Sequence, residues 1–125
     1  MQVYVAGKTG DEERVRTVME CVRGAGCQIT YDWTNHADER GLLPDVLIDA
    51  AYKCERAVIS SELFVLVDHP NLVGGLVEFG MAAQLRIPTL ILQDPHHAAQ
   101  GYRSIFFYLA HVIVVSDLDE LVSYL

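Results

Sequence analysis

Five short apolar runs recur along the chain, separated by longer segments, several with helical spacing. "QVYVA" (2–6), "CQITY" (27–31), "LFVLVD" (63–68), "PTLIL" (88–92) and "HVIVV" (111–115) read as strands. Between the first two, "TGDEERVRTVMECVRGAG" sets Val15, Val18, Met19 and Val22 on one helical face. Thr9 and Glu12 have the spacing of a capping box at its start, and Gly24 is a natural stop. Residues 32–43 are polar and irregular. Pro44 suits the first turn of a helix running to about Ile59, with Leu47, Ala51, Cys54 and Val58 along one face. Residues 74–85 predict a further helix, and 93–110 a loop with a short aromatic-rich helix. Ser116, with Asp119 three residues on, is placed to cap the last helix.

Continuous apolar strands alternating with helices predict a parallel sheet covered on both faces. The expectation is an α/β, doubly wound, Rossmann-like three-layer fold. It has five parallel strands in the order 2-1-3-4-5 and forms one domain over residues 1–125. Ligands of such sheets sit beyond the carboxyl ends of the strands. That rule gathers Gly7, Lys8 and Thr9, then Asp32 and Trp33, then Asp68 and His69, then Gln93 and Asp94, along one edge. Glu78 is expected to start the helix after the third strand and to face the same edge.

Composition narrows the possible partners. A formal charge of −8 over 125 residues disfavours a nucleic-acid surface, which needs clustered Lys and Arg. It leaves room for a small anionic ligand in a locally positive pocket. No apolar run reaches the ~20 residues that span a bilayer, and the start lacks a signal peptide's pattern, so no membrane is expected. Cys21, Cys27 and Cys54 form no C-x-x-C pair, which suggests a reducing cytoplasm and core packing. His36, His69, His96, His97 and His111 show no H-x-x-x-H spacing, so neither a metal site nor a cofactor is expected.

Glu78 is the sharpest chemical signal, a lone carboxylate in the apolar stretch "LVGGLVEFGMAAQLRIPTLIL". Gly74 and Gly75 before it would allow close backbone approach to a ligand. A first-turn carboxylate gains ~0.3–1 kcal/mol from the helix dipole, stays ionised, and suits a nucleophile. A capping glutamate is the equal alternative. Gly7-Lys8-Thr9 lacks the earlier glycine of a P-loop, because Gln2 stands there, and leaves a plausible anion or ribose turn. Lys8 is more commonly a solvated lysine. Asp68 can bond ribose hydroxyls or serve the turn in "DHPN", and Trp33 can stack on a base or cover the sheet edge. Tyr102, Phe106, Phe107 and Tyr108 read as packing or as an oligomer surface.

Taken together, "VYVAG", "ITYDWT", "ISSELFVLVD" and "GGLVEFGMAAQLRIPTLIL" resemble the nucleoside 2-deoxyribosyltransferase-like family over about residues 1–92. That resemblance implies a flavodoxin-like fold and N-glycosidic chemistry, shared with nucleotide N-glycoside hydrolases and similar to that of TIR-type NAD-cleaving domains. It puts Glu78 on the nucleophile that attacks C1′, Tyr4 and Gly7 on the ribose and base site, and Asp68 near the sugar 5′ end. Two positions depart from the pattern. The family's Asp, eight residues before the acidic residue that opens the third strand (here Glu62), falls on Cys54, with Glu55 beside it. The phosphate-binding Ser of the nucleotide hydrolases falls where Leu72 and Val73 stand. The helix register turns Cys54 toward the sheet and Glu55 about 100° away, which makes Glu55 dispensable.

The expected activity is therefore cleavage or transfer of an N-glycosidic bond in a nucleoside, nucleotide or NAD-like small molecule. The alternatives are an NAD glycohydrolase and a non-catalytic nucleotide-binding or sensing module. The resemblance also implies a homo-oligomer with pockets near subunit contacts.

Overall fold

The computed structural model describes residues 1–36, 44–99 and 104–125. Its sheet has five parallel strands, as the apolar runs predict, and their order is the expected β2-β1-β3-β4-β5. The strands are β1 (Gln2–Ala6), β2 (Gln28–Ile29), β3 (Leu63–Val67), β4 (Thr89–Leu92) and β5 (Val112–Val115). The helices are α1 (Glu12–Gly24), α2 (Pro44–Ile59), α3 (Gly74–Gln84), α4 (Pro95–Ala99) and α5 (Leu118–Ser123). Short 3-10 turns cover Trp33–His36 and Ile105–Tyr108.

Strand parity assigns the two cores. Val3, Val5, Leu63, Val65 and Val67 pack against Val15, Val18, Met19 and Val22 of α1 and Leu121 of α5. The alternate residues Tyr4, Ala6, Phe64 and Leu66 face Ala57 and Val58 of α2, Phe79 and Ala82 of α3, and Phe107. This alternation, with both faces buried, explains why the strands read as unbroken apolar runs. It also points Tyr4 at α2 and α3, which decides the site described below.

Several local expectations are corrected. β2 is two residues long rather than five, because it is an edge strand. Pairing reaches only as far as Thr30 N donating to Val3 O at 2.9 Å before the chain turns away. Thr9 does not cap α1. Gly10 takes φ 106°, the helix begins after Asp11, and Glu12 reaches back to the Gly10 N–H at 2.6 Å. At α5 the cap is Asp117, not Ser116: its carboxylate accepts from Glu120 N at 2.8 Å, while Glu120 accepts from Ser116 N at 2.6 Å.

The apolar face of α2 is only partly covered. Val58 and Ala57 are buried, Cys54 is half-buried, and Leu47 and Ala51 are exposed. The cause is length. Sixteen residues rise ~24 Å, whereas the five-residue strands beneath span ~17 Å, so the first half of α2 overhangs the sheet. The irregular reading of 32–43 and the aromatic Tyr102 fall partly outside the described residues. The rest of that reading is replaced by the Trp33–His36 turn.

Gly7 is set by packing. A Cβ there would lie 2.4 Å from Val15 Cγ2, and Val15 is fully buried. Gly7→Ala is therefore expected to destabilise the fold by ~1–3 kcal/mol, read as a lower urea midpoint at unchanged m-value.

Candidate active site

The carboxyl edge of β1 and β3 opens into a cleft of about 330 Å³. It is lined by Gly7, Thr9 and Trp33 on one side, by Ala51, Cys54 and Glu55 of α2, and by Gly74, Gly75, Val77, Glu78 and Met81 of α3. Glu78 thus faces a cleft, but not from the position expected. It is the fifth residue of α3, in the second turn, where the helix dipole gives little help.

What surrounds Glu78 is a buried polar cluster. The Tyr4 hydroxyl, on a side chain with no solvent exposure, donates to Glu78 Oε2. The Cys54 thiol interacts with both groups. Burial pushes the Glu78 carboxyl up to about 7, and the hydrogen bonds from Tyr4 and Cys54 only partly oppose it. Burial, then the Glu78 charge, raise the Tyr4 phenol well above its ordinary value. Burial likewise raises the Cys54 thiol, with Glu78 adding to it. The expectation that the helix dipole sets the charge of Glu78 is corrected: burial dominates instead, and it moves the carboxyl toward the neutral form. Glu78 sits poised between its two forms near neutrality, with two neutral donors beside it.

The two glycines before Glu78 do different things. A Cβ at Gly75 would lie 3.0 Å from Leu72 Cδ2 and 3.1 Å from the Gly7 carbonyl, so Gly75 lets α3 pack against β1. Gly74 has open space around it and presents bare backbone to the cleft. Trp33 is fixed by its indole N–H, which donates to Val5 O at 2.8 Å. Its turn is pinned by Arg16, which donates to Thr34 Oγ1 and Thr34 O, both at 3.1 Å.

Besides the buried Tyr4, which reaches the cleft only through Glu78, two candidates stand apart from the described lining. Lys8 folds back so that its Nζ donates to Thr9 O at 3.1 Å. Asp68 is buried in the seam between the loops after β3 and β4. There its Oδ2 meets His97 Nδ1 at 2.9 Å, its carbonyl accepts from Arg14 at 2.6 Å, and its Oδ1 has no partner among the described residues. His97 is in turn held by Asp94, which accepts from the His97 N–H at 2.8 Å. Glu55 is the opposite case: the register expectation turned it aside, yet this exposed residue is among those that line the cleft. Thr9 joins the lining, as the strand-end rule expected, and Ala51, Val77 and Met81 join it without having been singled out for it. No spacing rule links them, since four separate segments supply the wall.

A larger cavity, about 560 Å³, lies along the other side of α3 between Phe79, Gly80, Arg86, Phe106 and His111. No carboxylate is among its described lining residues, so the chemistry is assigned to the smaller cleft. Among the described residues, no cluster of three or more His, Cys, Asp or Glu could hold a metal ion, and no helix is long and apolar enough to cross a membrane.

No protein-family model matches the chain, and no curated protein sequence matches it. Among solved structures it is similar to a CMP N-glycosidase of Clostridium botulinum. The TM-score is 0.60 at 14% identity, over 99% of this chain and 97% of that one. The likeness is one of fold along the full length of both chains.

Proposed function

We propose that this protein cleaves the N-glycosidic bond of a nucleoside- or nucleotide-type small molecule, with Glu78 as the nucleophile. The observation that carries the reading is the Glu78 carboxyl in the cleft wall with one oxygen held by the buried Tyr4 hydroxyl. A CMP N-glycosidase has the same fold, which supports the reaction class.

In this reading the sugar lies against Gly74 with C1′ over Glu78, and the base stacks toward Trp33. The ionised carboxylate attacks C1′ as the C–N bond breaks, forming a glycosyl-enzyme. Tyr4 orients the attacking carboxylate and spreads its charge. Water then attacks C1′ and frees Glu78, or a second base does so in a transferase. The test is release of free base from a nucleoside panel, read by chromatography. No release from any member at high enzyme concentration overturns the proposal.

The exposed apolar surface supports a homo-oligomer. Leu47 (47% exposed), Ile48 (53%) and Tyr52 (57%) of α2 lie on the same side of the sheet as Val73 (77%) and Val77 (60%) at the start of α3. Phe106 and Tyr108 are also exposed, whereas Phe107 is buried in the core. Exposed apolar side chains gathered on one side of a sheet are the kind of surface that association covers. Light scattering is expected to give at least a dimer at micromolar concentration, and Ile48→Asp with Val73→Asp to give monomer. A monomeric parent chain contradicts the assignment.

A further inference from the structure

Resting on the reading above, we propose that the cleft is built for nucleosides whose base already carries a permanent positive charge, such as an N-alkylated purinium or pyridinium. The ionisable side chains among its described lining residues are Glu78, Glu55 and Cys54; none is Lys, Arg or His. Of the lysines beside lining residues, Lys8 turns its ammonium onto the Thr9 carbonyl, and Lys53 is paired with Asp49 at 2.8 Å. Trp33 supplies an indole locked in place by its bond to Val5 O, and indole is the strongest of the aromatic faces for a cation. Met81 adds a polarisable thioether. Two carboxyls, a fixed indole and a thioether form a receptor for a cation, and the chain's net charge of −8 steers cations toward it.

The leaving-group chemistry points the same way. A neutral base must take up a proton as it departs, an effect typically worth ~10²–10⁴-fold. The Tyr4 and Cys54 protons are both engaged with Glu78, and both groups are raised above their ordinary values. Glu78 cannot be nucleophile and acid in one step. A cationic base needs no proton. As the Glu78 Oε–C1′ bond forms, the C1′–N bond breaks, its electron pair neutralises the base, and carboxylate plus cation become ester plus neutral base. Water then adds hydroxyl to C1′ and loses a proton, giving free sugar and the carboxylate. The same cation favours the ionised form of Glu78 on binding, so the substrate helps to charge its own nucleophile.

The chain's single tryptophan is Trp33, so its fluorescence reports the cleft directly. Titration with 1-methylnicotinamide is expected to quench it saturably, with a Kd at least about ten-fold below that of neutral nicotinamide. Glu55→Gln should narrow that gap by about three-fold, a modest change suited to an exposed charge. In turnover, N7-methylguanosine and nicotinamide riboside should each exceed guanosine by about 10²-fold or more. If guanosine and other neutral nucleosides are cleaved as fast, the charge preference is wrong and the glycosidase reading stands. If 1-methylnicotinamide binds preferentially but no nucleoside is cleaved, the glycosidase reading fails and the cation selectivity stands. Equal binding of the two nicotinamides with no turnover removes both.

Discussion

Glu78→Gln is expected to lower turnover of any cleaved nucleoside by about 10³-fold or more, while Kd for the substrate changes only a few-fold. Glutamine keeps the volume and still offers a carbonyl oxygen to the Tyr4 hydroxyl, so the cleft keeps its shape. It removes the anion that stabilises the developing oxocarbenium ion and the oxygen that bonds to C1′. An interaction made only in the transition state shows itself as a loss in kcat and kcat/KM together. Retention of more than about a tenth of the parent rate contradicts the nucleophile assignment.

The same substitution carries a stability signature of opposite sign. The Glu78 carboxyl lies at about 7 in the folded chain against 4.5 for its ordinary value. A group raised on folding contributes stability that is fully present below the unfolded value and lost as pH rises through the folded one. The parent should therefore weaken between about pH 5 and pH 8, and Glu78→Gln should not suffer this loss. The difference in thermal midpoint, variant minus parent, is expected to grow across that window. A more stable but inactive variant is the mark of a functional residue held at a cost to the fold.

What could be read in advance divides along a physical line. The parallel sheet followed from periodicity, because two covered faces leave unbroken apolar runs and crossover helices allow few topologies; its strand order did not, since more than one doubly wound order fits the same pattern. Glu78 stood out because its apolar neighbours gave it no ordinary place. Its protonation state could not be read, because the burial that raises the carboxyl comes from long-range packing, and the partner that opposes it, Tyr4, is 74 residues away and reaches it only through strand parity and the approach of α3. Cys54 was noticed as an odd occupant of its slot, but its contact with Glu78 and Tyr4 needs the crossing of α2 over the sheet. The Asp68–His97 pair left no trace in spacing for the same reason: two loops supply one partner each. Exposed lining residues such as Glu55 and Val77 escape a reading based on burial, since nothing about an exposed side chain records what it stands next to.

Tyr4→Phe gives the sharpest view of how the carboxyl is tuned. If the ionised form of Glu78 is the active one, the parent rate should rise about ten-fold per pH unit on the acid side and level off above about pH 7. Burial sets that high value, and the Tyr4 hydroxyl lowers it by bonding the charged form. Deleting the hydroxyl leaves the burial and removes one of the two opposing hydrogen bonds. The acid limb is therefore expected to move to higher pH, which lowers the rate at pH 6 far more than at pH 9. Cys54 and Glu55 of α2 remain as the other ionisable neighbours, and Cys54 keeps its own bond to the carboxyl. A purely structural role for Tyr4 would instead scale the whole profile down without shifting it. A limb that stays in place, or moves to lower pH, contradicts the arrangement of donor and nucleophile described for this cleft.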